Sequence, residues 1–527
     1  MGKKREVKYH NGRYMGDNLS AEECDKLDAL RELDEQKGFV KELKHIIYDL
    51  PPSDVELIKQ LRSSEGVELS RGTLENIQTI GVAYMYFAKS LILGDSVGLG
   101  KTVEVCGLCN LLESQTIKQG YEFRFLYLTG KNLLEQAQNE MIKFTGNYVE
   151  TVQGIKSSVS KFCKQNWDYL QYSVVGSHSL INSVDFQEFM VHYQQDYGCN
   201  PFDLLVIDES GDILSNSSCQ TYKAAQQIGK MFDRVILLNA TAFEKELRQF
   251  YNQLQFIDGT LLPTKTEFQK TYEVLDYTGA YPIFNGKYKN QDDFKQKIGY
   301  RYLSRTRKSS GASMVDCTAE VIVSPLSEEQ QYLLKMVSMP GMVYDCPSYF
   351  GMGVETNEYT TPKLMSLLRL LQGKLKDERS ILIYSRYKES QSCIASVLRE
   401  YGYDCYVLNG DSPQKERNMA IDKFKLGDIR ILITNVQKGL NFGNCNYCIF
   451  YSYDPNPNRM VQFEGRMTRS YDIVGKHVYL LISRGQELRT FKKVVADRAK
   501  ASDIFAGSDF SCVLSILLDN DQISKLK

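Results

Sequence analysis

No stretch of the 527-residue chain reaches the ~18 consecutive apolar residues that a membrane-crossing helix requires, so no such helix is expected. Excess charge of either sign is also missing. The chain has 64 Lys and Arg against 65 Asp and Glu, a formal net charge of −1. The strong basicity common among nucleic-acid-binding domains is therefore not visible in the total. With 43% hydrophobic and 24% charged residues, the composition is that of a folded globular protein, not of a disordered tail, a collagen or a coiled-coil rod. The 13 cysteines are scattered and odd in number, which excludes a simple disulfide framework. Met1-Gly2-Lys3-Lys4-Arg5 is basic, but no apolar segment follows it, and Glu6 breaks the myristoylation pattern. A reduced, soluble, cytoplasmic protein is expected.

At ~150 residues per domain the length allows three to four domains. Residues 1–65 are polar and predict a helical N-terminal extension, as in Ala21–Lys37 and in Asp54–Leu61 after Pro51-Pro52-Ser53. Residues 66–260 alternate short apolar runs with helical stretches. The runs are Ser90–Leu93, Phe123–Leu128, Ser173–Val175, Leu204–Ile207 and Val235–Leu238. Four to six apolar residues between helices predict buried parallel strands. The alternation resumes over 356–500, with Ile381–Tyr384, Cys405–Leu408, Ile431–Ile433, Cys448–Tyr451 and Val478–Ile482. The fold class is thus α/β, with two tandem parallel-sheet domains. A Tyr-, Gln- and Lys-rich linker and helical insertion is expected over 261–355, and a tail over 501–527.

The sharpest motif is Gly94-Asp95-Ser96-Val97-Gly98-Leu99-Gly100-Lys101-Thr102, between a strand-like and a helix-like run. Glycines let backbone N–H groups wrap phosphates, and the helix N-terminus adds a favourable dipole. Lys101 is expected to reach the β- and γ-phosphates, and Thr102 to bind Mg²⁺. Asp95 stands where the general pattern has its first glycine. Leu204–Ile207 followed by Asp208-Glu209 supplies the acidic partner: Asp208 for Mg²⁺, Glu209 to orient and deprotonate water.

Together these residues resemble the Swi/Snf-type ATPases of helicase superfamily two, in which an acid replaces the first loop glycine. Leu74–Gln78 with Gly81-Val82 is similar to the Q motif, with Gln78 reading adenine. Phe125–Thr129 through Glu140 resembles motif Ia, and Val174–His178 the one after it. Asp208-Glu209-Ser210-Gly211 occupies motif II and Leu237–Ala242 motif III. Tyr302–Lys308 is similar to the basic stretch closing the first lobe, Val321–Gln331 to the segment entering the second. Tyr272–Tyr288 is similar to a stretch of the annealing-helicase branch. Ile381–Arg386 resembles motif IV, Leu408–Asp411 with Glu416-Arg417 the adjoining element, and Ile433–Asn435 with Gly439–Asn441 motif V. Gln462–Arg469 resembles motif VI.

This resemblance spans about residues 70 to 490. It implies two RecA-like lobes that clamp ATP, with Gln78, Gly98, Gly100, Lys101, Thr102 and Gln462 on the nucleotide. Arg466 and Arg469, three apart on one helical face, become the candidate arginine fingers. Polynucleotide contact is implied for Thr129, Lys131, Asn132, Ser385, Arg386, Thr434 and Asn435 through hydroxyl, amide and cationic donors, which do not read sequence. The implied partner is DNA, duplex favoured, with single-stranded or branched DNA as alternatives.

Some residues depart from the pattern. Gly211 replaces the motif II histidine, Ala242-Phe243 a Pro and an aliphatic, Ala137 a Trp, and Ser470-Tyr471 a Gly-Gln. Three readings stay open: a duplex translocase, a strand-separating DNA or RNA helicase, and an NTP-binding scaffold, which Gly211 keeps in play. The pairs Cys106/Cys109 and Cys445/Cys448 have Cys₄-zinc spacing, yet burial as small apolar residues is expected. His178 and His477 are expected to be packed or hydrogen-bonded residues. The charge balance, finally, is uneven. Residues 361–500 hold 24 Lys and Arg against 14 Asp and Glu, so the basicity missing from the total is concentrated in the second domain.

Overall fold

The computed structural model describes residues 8–10, 13–15, 69–96, 98–118, 120–239, 247–277, 283–305, 317–337, 340–345, 361–435, 445–452, 463, 475–493 and 495. The chain divides into two compact units, Met1–Asp95 with Gly100–Ser304, and Ser96–Leu99 with Arg305–Lys527.

Near the N-terminus, β1 (Lys8–His10) and β2 (Arg13–Met15) pair antiparallel, Tyr9 opposite Tyr14. Alternating Lys-Tyr-His and Arg-Tyr-Met residues suit strand, where a helical extension was expected. The expected helices Ala21–Lys37 and Asp54–Leu61 lie outside the described residues.

The first unit is built on β3 (Ser90–Leu93), β4 (Phe125–Thr129), β5 (Val149–Val152), β6 (Ser173–Ser177), β7 (Leu204–Ile207) and β8 (Val235–Leu238). A seventh strand, β11 (Tyr302–Leu303), completes the order β11-β3-β8-β7-β4-β6-β5, every pair parallel. β4, β6, β7 and β8 are buried along their whole length. Helices cover both faces of such a sheet, which explains the unbroken apolar runs. The two turn-distal strands were not foreseen. β5, Val-Glu-Thr-Val, is an edge strand with a half-exposed middle, and β11 has two residues.

Residues 265–303 fall in the stretch expected as linker and helical insertion, and they carry two helices and a hairpin. The helices Lys265–Tyr272 and Gln291–Ile298 flank a hairpin of β9 (Glu273–Asp276) and β10 (Ile283–Tyr288). Phe268, Tyr272 and Phe294 are buried; Phe268 and Tyr272 meet Phe294, which in turn meets Phe250 of the Leu247–Ile257 helix, as an aromatic cluster. Fully buried Glu273 accepts both Nε and Nη2 of Arg248 (2.9 and 2.7 Å). Each aromatic ring carries more apolar area than an aliphatic side chain, so a few of them suffice to weld this segment to the first unit.

The second unit has the order β12-β17-β16-β13-β15-β14, again all parallel. Its strands are β12 (Cys317–Ser324), β13 (Ile381–Tyr384), β14 (Cys405–Leu408), β15 (Ile431–Thr434), β16 (Tyr447–Phe450) and β17 (Lys476–Ser483). Thus β12, from the stretch expected as insertion, is an edge strand of this sheet. One core cluster contains Leu382, Leu432, Cys448 and Leu480, and another Ile383, Ile433, Ile449 and Leu481. Neighbouring residues of one strand point to opposite faces, so each strand feeds both cores. The Pro362–Gln372 helix starts on Thr361, whose Oγ1 accepts the Leu364 N–H (3.1 Å), with Pro362 in the first turn.

Phe294→Ala is expected to destabilise the first unit by about 3–5 kcal/mol, read by urea unfolding; no loss would show that 265–303 is a passive linker.

Candidate nucleotide site

Strand β3 ends at Leu93 and the Lys101–Lys118 helix begins eight residues on, so the loop between them sits at the carboxyl edge of a parallel sheet, where α/β proteins bind ligands. Gly98 and Gly100 have φ of +87° and +85°, the left-handed region that costs glycine nothing. A Cβ on Gly100 would also lie 2.4 Å from Gln78 Nε2. Gln78 itself is fixed by a capping box, its Oε1 accepting the Glu75 N–H (3.0 Å).

The first limb of the loop is tied to the chain around β11. Gly94 N–H donates to Leu303 O (2.7 Å), Ser304 Oγ donates to Gly94 O (3.0 Å), and Ser96 N–H donates to Arg305 O (3.0 Å). The buried Tyr302 ring lies under Gly94, where a Cβ would come within 2.5 Å of it. Burial pushes the Tyr302 phenol well above its usual range, hydrogen bonding with Ser304 opposing and Asp95 adding to the shift. These pairings use the amides of Gly94 and Ser96, upstream of the Gly98–Thr102 limb that the motif assigns to phosphates.

Lys101 Nζ donates to Asp95 O (2.5 Å). Burial pulls its ammonium below the ordinary lysine range, while Asp95, Asp208, Glu209 and Glu104 pull it back up. One lysine among four carboxyl groups leaves room for a further cation. Asp208 and Thr102 offer the hard carboxylate and hydroxyl oxygens that Mg²⁺ prefers, so the donor set fits that ion. The acidic strand β7 is separated from β3 only by β8, so the two strands run ~10 Å apart at the usual strand spacing.

Asp208 is closely supported. Its Oδ1 accepts the Glu209 N–H (2.9 Å), its Oδ2 the Thr129 hydroxyl (3.4 Å), and its backbone O bonds His178 Nε2 (2.7 Å). Glu209 has φ +51°, a left-handed conformation that a non-glycine residue keeps only when its surroundings impose it. Tyr127 stands on the neighbouring strand with its phenol pushed well up by burial and by the charge of Asp208, hydrogen bonding to Thr102 opposing. Beyond Glu209, Ser210 Oγ and Asn239 Nδ2 both donate to Gln253 Oε1 (2.9 and 3.2 Å). A Cβ on Gly211 would lie 3.0 Å from Asn239 Nδ2. The glycine that departs from the family pattern therefore accompanies an asparagine amide packed against it.

Gln78, Gly98, Gly100, Lys101, Thr102, Asp208 and Glu209 thus all belong to the loop, its two supporting strands or the capping turn. Gln462, Arg466 and Arg469 lie outside the described residues, as do Ala240–Ala242, Thr306–Lys308 and Gly439–Asn441. The residues expected on polynucleotide divide in two. Lys131 and Asn132 are exposed, Arg386 and Asn435 half-buried. Thr129, Ser385 and Thr434 are buried, with 0% exposure. Their hydroxyls sit at strand ends beneath the loops, and that of Thr129 bonds the acidic pair instead of facing outward. Tyr127, His178, Gln253, Tyr302 and Ser304 had not been singled out as site residues. Tyr302 and Ser304 are far from the loop in sequence and reach it only through β11.

The four cysteines of zinc-like spacing are buried in their separate units: Cys106 and Cys109 in the first, Cys445 and Cys448 in the second. Cys106 Sγ packs on Met141 Sδ (3.4 Å), and burial pushes the Cys445 thiol up to about 12. His477 Nδ1 bonds the Thr318 hydroxyl (2.6 Å). Among the described residues no helix is long and apolar enough to cross a membrane.

Comparison with known proteins gives two family matches, an SNF2-related domain over residues 30–379 and a helicase conserved C-terminal domain over 362–471. The mouse (Mus musculus) DNA repair and recombination protein RAD54B is 21% identical over 472 residues, covering 75% of this chain and 51% of that protein. The Bacillus subtilis (strain 168) protein named Uncharacterized ATP-dependent helicase YqhH is 24% identical over 455 residues, covering 77% and 76%. The chain spans about half the length of the RAD54B relatives. A solved Sulfolobus solfataricus SWI2/SNF2 ATPase core in complex with dsDNA is 18% identical, covering 86% of this chain and 97% of that one, with a TM-score of 0.39.

A Gly94→Ala substitution is expected to cost at least ~1 kcal/mol of stability, partly recovered in Gly94→Ala/Tyr302→Ala, because the two side chains compete for one space. A double-mutant cycle by thermal unfolding measures it; additive losses would disprove the contact.

Proposed function

The chain belongs to the SNF2-related family, and on that premise we propose that it is an ATP- and Mg²⁺-dependent motor that moves along duplex DNA and remodels DNA or protein–DNA complexes. The observation that carries the reading is the joint geometry of the phosphate loop and the acidic pair: half-buried Lys101 held on Asp95 O, Gly98 and Gly100 in left-handed conformations, and Asp208 held by Thr129 and Glu209 at its carboxylate and by His178 at its backbone oxygen. A scaffold that only binds nucleotide has no need of a strained Glu209 beside that carboxylate.

Lys101 would neutralise phosphate oxygens. Asp208 and Thr102 would hold the magnesium ion, which supplies further charge neutralisation at those oxygens when bound. Glu209 would orient the attacking water and accept its proton. Arg466 and Arg469 are proposed, on sequence, as the cations for the transferred group. Lys131, Asn132, Arg386 and Asn435 are the proposed DNA contacts; Thr129, Ser385 and Thr434 would act by supporting them. DNA is favoured over RNA because curated relatives are named as DNA repair proteins. The buried thiols suit work in a reducing cytoplasm.

The test is ATP turnover without polymer and with duplex DNA, single-stranded DNA or RNA. Duplex DNA is expected to stimulate most, without strand separation, and the stimulation to weaken steeply with salt. Lys101→Ala and Glu209→Gln are each expected to lower turnover at least ~100-fold, with nucleotide binding retained in Glu209→Gln. Indifference to every polymer would refute the motor; stimulation by RNA alone would refute the DNA assignment.

A further inference from the structure

In the second unit an ammonium and two carboxyl groups are buried together. Lys363 is 0% and Asp345 3% exposed. Lys363 Nζ lies 2.8 Å from Asp345 Oδ1 and 2.8 Å from Glu487 Oε1. Its charge also sits 5.1 Å from the centre of the Tyr451 ring. Glu487 Oε2 accepts the Ser483 N–H (2.7 Å). Replacing such a cluster by apolar residues is often neutral or stabilising, so its presence calls for a reason other than stability.

The reason lies in what the second oxygen of Asp345 holds. Asp345 Oδ2 accepts the Ser452 hydroxyl. Ser452 Oγ in turn accepts the Arg386 N–H (3.1 Å) and lies 3.4 Å from Ser385 Oγ. The same turn is gripped from other sides. Ser385 N–H donates to Thr434 O (3.1 Å), Gln391 Nε2 to Ser385 O (2.8 Å), and Asn435 Nδ2 to Arg386 O (3.2 Å). One connected network therefore runs from the Glu487–Lys363–Asp345 cluster to the ends of β13, β15 and β16. A hydrogen bond to a charged group is stronger and more directional than a neutral one, and a carboxylate bonded to a lysine cannot swing away.

We propose that Ser452, held by the buried Asp345–Lys363–Glu487 cluster, is a positioning residue for the DNA-contacting edge of the second unit, setting the direction in which Arg386 and Asn435 present their side chains. The inference rests on the motor reading above, and it gives that edge a defined internal support. None of these four residues was marked by a motif, since the links exist only across 107 residues of chain between Asp345 and Ser452.

Ser452→Ala in the full chain cuts the link and leaves the ion cluster intact. Ser366→Ala is the control, because Ser366 bonds Ser324 Oγ (2.9 Å) and Pro362 O (3.0 Å) in the same unit but outside the network. Amide hydrogen exchange by mass spectrometry reads the positioning itself, and the duplex DNA concentration for half-maximal ATPase stimulation reads its consequence. In Ser452→Ala, exchange in peptides containing Arg386 is expected to quicken about tenfold. Half-saturating DNA is expected to rise about tenfold, with the maximal rate at saturating DNA retained; Ser366→Ala moves neither. Unchanged exchange overturns the proposal, as does faster exchange with unmoved DNA dependence, or an equal shift in Ser366→Ala. An unsubstituted chain that ignores DNA refutes the motor reading itself, before any variant is compared, and this inference with it.

Discussion

Burying a parallel sheet on both faces forces the polar groups at its carboxyl ends to satisfy one another inside the protein. This constraint shapes both units. In the first, Asp208 is surrounded by the Thr129 hydroxyl, the Glu209 amide and His178. In the second, Ser385, Thr434 and Ser452 are buried at corresponding strand ends and join Asp345 and Lys363. The hydroxyl residues that a family pattern marks as polymer contacts are thus buried at strand ends. The exposed Lys131 and Asn132 and the half-buried Arg386 and Asn435 nearby keep contact with solvent.

The same constraint explains the electrostatics of the nucleotide site. Burial pulls the Lys101 ammonium below the ordinary lysine range, and the neighbouring carboxyl groups pull it back up. The loop that presents it cannot drift, because Gly94 and Ser96 spend their amides on Leu303 and Arg305. Glycine is required at positions 94 and 100 for space, since Tyr302 and Gln78 fill the places of their missing side chains, and at position 100 for backbone freedom as well. Gly211 follows the same logic: Asn239 occupies the space beside it, so its departure from the family pattern is matched by its surroundings.

Much of this was readable in advance. Ten strands were marked by runs of apolar residues, and eight ordered motifs located the phosphate loop and the acidic pair. Fully buried strands and glycine-rich phosphate loops leave local signatures, because each residue must meet a local demand of hydrophobicity or φ. Where the demand was weak, the reading was incomplete. β5 has a half-exposed middle, β11 is two residues long, and β12 carries Glu320 within its apolar run. The Tyr-rich stretch after 261 looked like a linker because its aromatic residues share a core with Phe250 rather than forming a periodic face of their own.

The sequence by itself determined the two α/β units, the glycine-rich loop at Gly98–Thr102 between a strand and a helix, and the carboxylates at Asp208-Glu209 that end a buried strand. These depend on residues adjacent in the chain, whose spacing is preserved whatever the fold. Only the tertiary structure decided which hydroxyls are buried, that the chain at 302–305 braces the phosphate loop, and that Lys363 links Asp345 to Glu487. Those are contacts between residues up to 210 positions apart, made by strand pairing and burial, and no local pattern encodes which distant partner a polar group will find. The charge balance shows the same division: the net charge of −1 was read at once, but only the fold shows how the basic second half organises its buried lysine around carboxyl groups.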